Sequence, residues 1–226
     1  MKAFHAVLFD LDGTLLDSAL DFHHIIAQML QQRGRTSLDL PELRPHVSQG
    51  ARAMISAAFQ LPAEDAETDR LLEEFLTLYG QQPAQHSRLF DGIETILSWL
   101  EARAIPWGIV TNKPEHFSRP ILTTLGLDQR CASLICPEQV THTKPDPEAL
   151  LLACRELRRT PAETLYVGDH RRDIEAGQRA GMRTIACGYG YIPAQDDPAR
   201  WHSTHLVRDT QELARLLESL YLESRT

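Results

Sequence analysis

The sequence predicts an α/β fold, a parallel sheet with helices on both faces, with a small all-helical domain inserted near its start. Two observations predict the sheet and a third predicts the insert. Short apolar runs recur along the chain, separated by stretches of helical periodicity, the pattern of parallel strands joined by crossover helices. Four of those runs end in polar clusters, and ligands in such folds bind at the carboxyl ends of the strands. Residues 16–85 read as helices with no strand among them, so they are expected to form a helical unit set above that edge.

The first strand is Ala6-Val7-Leu8-Phe9. Asp17 or Ser18 then caps a helix whose apolar positions Phe22, Ile25, Ile26, Met29 and Leu30 follow a 3.6-residue period, and Gly34 ends it. A second helix starts near Gly50 and runs through Met54, Ile55, Ala58 and Phe59. A third carries Leu71, Leu72, Phe75, Leu78 and Tyr79 and stops between Gly80 and Pro83. From Phe90 helix and strand alternate. The strands are Pro106 to Val110, Ser133 to Cys136, Thr164 to Val167, Arg183 to Cys187 and a short run at His205-Leu206-Val207. The helices between them carry Ile93, Ile96, Leu97 and Leu100, then Ile121, Leu122 and Leu125, then Leu150, Leu151, Cys154 and Leu157. One more spans Arg171 to Ala180, and Leu213, Leu216, Leu217 and Leu220 mark the last. Residues 1–15 and 86–226 are thus expected to form the sheet-bearing core and residues 16–85 the helical cap.

At 226 residues and 42% hydrophobic content the chain can bury a substantial core, and a net charge of −8 disfavours nucleic-acid or anionic-membrane surfaces. An anionic substrate is still admissible, because a metal and a few cations reverse the field locally. No stretch approaches the roughly 18 apolar residues of a membrane span, and no leader pattern precedes the first strand. Cys131, Cys136, Cys154 and Cys187 lie in or beside apolar runs without metal-ligand spacing, so buried free thiols in a reducing cytoplasm are expected. The sequence leaves monomer and homodimer equally open.

The first polar cluster is Asp10-Leu11-Asp12-Gly13-Thr14. Strand alternation brings Asp10 and Asp12 out on one side, where two carboxylates repel unless one is protonated or a cation intervenes. Gly13 permits an immediate turn and Thr14 adds a hydroxyl donor. The layout suits a carboxylate nucleophile beside a general acid/base, although a plain strand-to-turn junction has the same composition. Thr111-Asn112-Lys113 follows the next strand, where a hydroxyl and an amide either receive an oxyanion or cap a helix. In Thr143-Lys144-Pro145-Asp146-Pro147 a lysine followed by two prolines that fix the backbone beside it is placed to hold a phosphoryl oxygen together with a carboxylate. Gly168-Asp169-His170-Arg171-Arg172-Asp173 adds two more carboxylates, Asp169 and Asp173, one helical turn apart. So many anions at one edge call for a hard cation. Oxygen ligands and an anionic substrate favour Mg²⁺ over Zn²⁺.

Asp-x-Asp-Gly-Thr, Thr-Asn, Lys-Pro and Gly-Asp-x-x-x-Asp, in this order and each after an apolar strand, resemble the haloacid dehalogenase superfamily over nearly the whole chain. The resemblance implies a Rossmann-like core and a small anionic phosphate ester as substrate. It implies Asp10 as the nucleophile that forms an aspartyl-phosphate and Asp12 as the acid/base. Thr111 and Lys144 would bind the phosphoryl group, with Asn112 beside them. Mg²⁺ would be held by Asp10, the backbone carbonyl of Asp12 and Asp169, with Asp173 acting through water. Dehalogenating members lack the second aspartate, so Asp12 favours phosphoryl chemistry. The insert resembles the cap of the subgroup containing phosphoglycolate phosphatases. Gly168 to Gly177 and Gly188-Tyr189-Gly190-Tyr191-Ile192 are similar to the branch acting on N-acetylmuramic acid 6-phosphate. In the cap, Gly50 is placed for close backbone approach to a ligand, and Arg52 either pairs with a substrate carboxylate or is solvated. A sugar-phosphate phosphomutase shares all four motifs. A non-catalytic module on the same fold is disfavoured because Asp10, Asp12 and Lys144 are all present.

Overall fold

Strand β1 (Ala6–Phe9) has every residue buried, and its side chains divide between the two sides of the sheet: Ala6 and Leu8 in one apolar cluster, Val7 and Phe9 in another. The structure, a computed structural model, describes residues 4–223; residues 1–3 and 224–226, the outer ends of the expected core, lie outside these. After β1 come the two-residue strand β2 (Leu16–Asp17) and helix α1 (Ala19–Gln32). Helices α2 (Leu40–Val47), α3 (Ala51–Phe59) and α4 (Ala66–Gln81) follow, and a second short strand, β3 (Arg88–Leu89), closes the segment. The alternating part then runs α5 (Ile93–Glu101), β4 (Trp107–Val110), α6 (Glu115–Thr124), β5 (Leu134–Ile135), α7 (Glu148–Leu157), β6 (Thr164–Gly168), α8 (Arg171–Arg179), β7 (Arg183–Cys187), β8 (His205–Val207) and α9 (Thr210–Glu223).

The main sheet has six strands in the order β5-β4-β1-β6-β7-β8, and all its pairings are parallel. Helices cover both faces, as the alternation predicts. Leu150, Ala153 and Cys154 of α7, with Ala176 of α8, pack on the Ala6 and Leu8 side. Helices α5, α6 and α9 pack on the Val7 and Phe9 side. β1 lies between β4 and β6, so its carboxyl end opens where the chain leaves for the cap and where the ends of its neighbours converge.

Two features of the insert depart from the sequence reading. Leu16–Asp17, read as the start of a helical block, is a strand paired antiparallel with Arg88–Leu89, so the chain leaves and re-enters the core through a two-stranded connection. Helix α2 has no counterpart among the helices the sequence predicts. Asp39 and Glu42 form a reciprocal capping box at its start, Pro45 lies inside it, and its buried residues are Leu43 and Val47, too few for a periodic signal. Ser18 occupies the N-cap position of α1 without capping through its side chain. Asp17 instead pairs with Arg44 of α2 at 2.6 Å and accepts from the Tyr191 hydroxyl at 2.8 Å. Asp21 of α1 accepts the backbone N–H groups of His86 and Ser87 at 2.6 and 3.0 Å, tying the two connecting segments together.

All four cysteines are free, and Cys136, Cys154 and Cys187 are buried. Among the described residues, no helix is long and apolar enough to cross a membrane.

Candidate active site

The four polar clusters meet at the carboxyl ends of β1, β4 and β6, beneath helices α1, α3 and α4. Asp10, Asp12, Thr111, Asn112 and Lys144 all line one cavity of about 770 Å³, with Gly50 and Arg52 on its cap side. Apolar side chains of the cap, among them Phe22, Met54, Leu72 and Phe75, form much of the remaining wall.

Each carboxylate of the first cluster has its own lysine. Lys144 Nζ lies 2.9 Å from Asp10 Oδ1 and 2.7 Å from Asp173 Oδ1, and it also donates to the Val110 carbonyl and the Tyr166 hydroxyl, both at 2.8 Å. Burial opposes its charge, but Asp10 and Asp173 outweigh that and hold the ammonium above its ordinary range. Burial pushes the Asp10 carboxyl up to about 6, against the pull of Lys144, and Asp173 adds to the rise. Lys113 Nζ bridges both oxygens of Asp12 at 3.0 and 3.2 Å. It lies 4.9 Å from the Phe22 ring centre and 4.8 Å from that of Tyr79, so aromatic residues of α1 and α4 roof the ion pair. Burial disfavours the Lys113 charge as well, and Asp12 restores it to above the usual lysine range. The repulsion expected between Asp10 and Asp12 is thus met by two lysines.

Asp10, Asp169 and Asp173 each offer an oxygen, and these lie within 4.8 Å of one another. Asp169 and Asp173 are fully buried. Burial, with Asp10 and Asp173 alongside, holds Asp169 well above the usual carboxylate range. An all-oxygen donor set that crowded fits a hard divalent cation, which would relieve the repulsion within it. The carboxylate of Asp12 stands apart from this triad, on Lys113. Asp169 accepts from the Tyr191 backbone N–H at 2.7 Å, from Thr14 Oγ1 at 3.2 Å and from Ser48 Oγ at 3.3 Å. A Cβ on Gly190 would run into Asp169 and the Gly13 carbonyl oxygen, so glycine is what lets the chain after β7 pass so close. Asp173 is fixed by the His170 backbone N–H at 3.0 Å and the Tyr166 hydroxyl at 3.1 Å.

Three residues named from the sequence do something more specific than expected. Asn112 spends its side-chain amide on the backbone of Lys144, donating to its carbonyl at 3.1 Å and accepting from its N–H at 3.2 Å, so it braces the lysine. Gly50 caps α3 with φ at +96°, and a Cβ there would meet nothing within 4 Å. Its glycine answers a backbone conformation that L side chains rarely adopt, and it lines the cavity. Arg52 pairs with Asp69 at 2.7 Å, donates to the Ala63 carbonyl at 2.8 Å and leaves its side chain 45% exposed. The Thr111 hydroxyl accepts from the Lys113 N–H at 3.1 Å and holds the turn after β4. Local sequence assigns no role to Lys113, Tyr79, Ser48 or Arg172. Lys113 stands in the Thr-Asn-Lys string, and only its partner 101 positions away reveals what it does.

Residues 7–187 match the family model of haloacid dehalogenase-like hydrolases. A protein of Pseudomonas putida named N-acetylmuramic acid 6-phosphate phosphatase is 47% identical over 95% of this chain and 96% of its own length. A phosphoglycolate phosphatase of Xanthomonas campestris pv. campestris is 43% identical over 94% of this chain and 96% of its own. The crystal structure of a predicted phosphoglycolate phosphatase from Haemophilus somnus superposes with a TM-score of 0.81 at 25% identity, covering 96% of this chain and 99% of that one.

Proposed function

The chain belongs to the haloacid dehalogenase-like hydrolases, and we propose that it is a Mg²⁺-dependent phosphomonoesterase acting on N-acetylmuramic acid 6-phosphate. The observation that carries the chemistry is the cavity floor, where Asp10 and Asp12 both open onto one cavity, each on its own lysine. In this reading residues 16–85 are the cap and the remainder the catalytic core.

Asp10, Asp169 and the Asp12 backbone carbonyl would hold Mg²⁺, with Asp173 acting through water, and the ion when bound neutralises phosphoryl charge and orients the ester. Asp10 attacks phosphorus through a carboxylate oxygen while the bond from phosphorus to the ester oxygen breaks, giving an aspartyl-phosphate and an alkoxide. With the ester bound, Asp12 carries a proton taken up from solvent, its other oxygen still accepting from Lys113, and it gives that proton to the alkoxide. It then takes a proton from water as the water oxygen attacks phosphorus, releasing phosphate and regenerating Asp10. Lys144 and Thr111 bind the equatorial oxygens, and Asn112 holds Lys144 in place. The cap walls exclude bulk water from the intermediate.

The choice of substrate rests on two supports. A cavity of about 770 Å³ is larger than a two-carbon acid needs and falls in the range of ~300–1,000 Å³ typical of small-molecule sites. The 47% identical relative carries this activity in its name. With that substrate the enzyme would serve cell-wall amino-sugar recycling in the cytoplasm. The 43% identical relatives support 2-phosphoglycolate as the second reading. Phosphate release from both esters, with Mg²⁺ and with excess chelator, tests the assignment. A kcat/KM ratio of about 100 or more, some 2.7 kcal/mol of differential transition-state binding, is expected to favour the amino-sugar ester. Preference for phosphoglycolate would reverse the substrate, and full activity in chelator would remove the metal.

A further inference from the structure

We infer that Arg172 receives a second anionic group of the substrate, a carboxylate carried by the leaving alcohol. This rests on the phosphatase reading above and assigns the selectivity for acid phosphates to the core, not to Arg52 of the cap.

The cations around the cavity are unevenly committed. Arg52, Lys113, Lys144 and Arg172 line it. Lys144 is committed to Asp10 and Asp173, Lys113 to Asp12 and Arg52 to Asp69. Arg172 makes no ion pair among the described residues; its guanidinium donates to the backbone carbonyl of Ser48. A half-buried cation facing a cavity without a carboxylate partner is costly unless an anion joins it. A guanidinium presents five N–H groups in a planar fork, so donation to one carbonyl leaves an edge free for bidentate carboxylate binding.

The position is rigid. Arg172 sits in the first turn of α8, where the His170 ring Nδ1 accepts its backbone N–H at 3.2 Å and Asp173, the next residue, belongs to the acidic triad. Ser48, which Arg172 contacts, also reaches Asp169 through its hydroxyl at 3.3 Å. One cap residue therefore touches both the acidic triad and the unpaired arginine. Arg172 thus stands on the same cavity as the acidic triad, where an ester carrying phosphate at one end and carboxylate at the other would meet both.

The test compares N-acetylmuramic acid 6-phosphate with its carboxyl methyl ester, which differ only in the anion. Arg172→Gln is expected to lower kcat/KM for the acid about 100-fold, chiefly through KM, and to shrink the acid-over-ester preference by a similar factor. Arg172→Lys, which keeps the charge and loses the fork, is expected to lose about tenfold. Arg52→Gln should leave the acid-over-ester ratio within about twofold. Equal losses on acid and ester in Arg172→Gln would overturn the proposal and make Arg172 a phosphoryl-binding or structural residue. Calorimetric binding in the Asp10→Asn background separates this from the parent reading, since it needs no turnover. An acid Kd unaltered by adding Arg172→Gln overturns the Arg172 assignment, whereas wild-type protein inert on both esters overturns the substrate assignment.

Discussion

Replacing Lys113 with Met removes the cation that holds Asp12 and leaves a carboxylate facing a roof of aromatic rings. Charges at the observed 3.0 Å attract by roughly 5 kcal/mol at an effective dielectric of about 20. Desolvating the ammonium returns much of that. Asp12 keeps 20% of its side chain exposed and can rehydrate. The net coupling should therefore be about 2 kcal/mol. The contacts of Lys113 with Phe22 and Tyr79 add about 1 kcal/mol. Lys113→Met should then cost about 3 kcal/mol and lower Tm by roughly 6–12 °C, at about 2–4 °C per kcal/mol for a chain of this size. Urea unfolding of Lys113→Met, Asp12→Asn and the double variant isolates the pair, because the ring contacts are lost in both arms of the cycle and cancel. A coupling energy below about 0.5 kcal/mol would refute the claim that Lys113 is the counter-charge of Asp12.

Asp10→Asn should reduce phosphate release by at least ~10³-fold while the far-UV circular dichroism is unchanged, since an amide is a poor nucleophile; near-normal turnover would end the covalent mechanism. Gly190→Ala forces a methyl against Asp169, and is expected to cost about 1–3 kcal/mol and to weaken Mg²⁺ binding in a titration; no change in either would mean that the loop moves freely. Burial works against the charge of Asp196, but the Trp201 indole and Arg171 outweigh it and hold that carboxyl below its usual range. Its contribution to stability is therefore present above the ordinary carboxylate pKa and fades as pH falls through the lowered value. Asp196→Asn should be less stable than wild type at pH 7, by under about 1 kcal/mol because its partner Arg171 is half exposed, and indistinguishable near pH 2 in thermal melts.

The sequence by itself determined the layers of the fold. Alternating apolar runs and amphipathic stretches encode strands and helices through local periodicity, so β1, β4, β6 and β7 and the helices around them were legible. It also placed Asp10, Thr111, Lys144 and Asp169 at one edge, because parallel strands share a direction and each cluster follows a strand. Local signals failed where elements are short. β2 and β3 have two residues each and exist only because they pair with each other across the insert, and α2 shows two buried residues and an internal proline. The tertiary structure alone decided how charge is shared. Asp12 meets a lysine 101 positions away, Arg52 is taken by Asp69 of the neighbouring helix, and Arg172 comes under Ser48, 124 positions distant. Ion pairing depends on a few ångströms of separation in space, which periodicity along the chain does not carry, so the residues were readable and their partners were not.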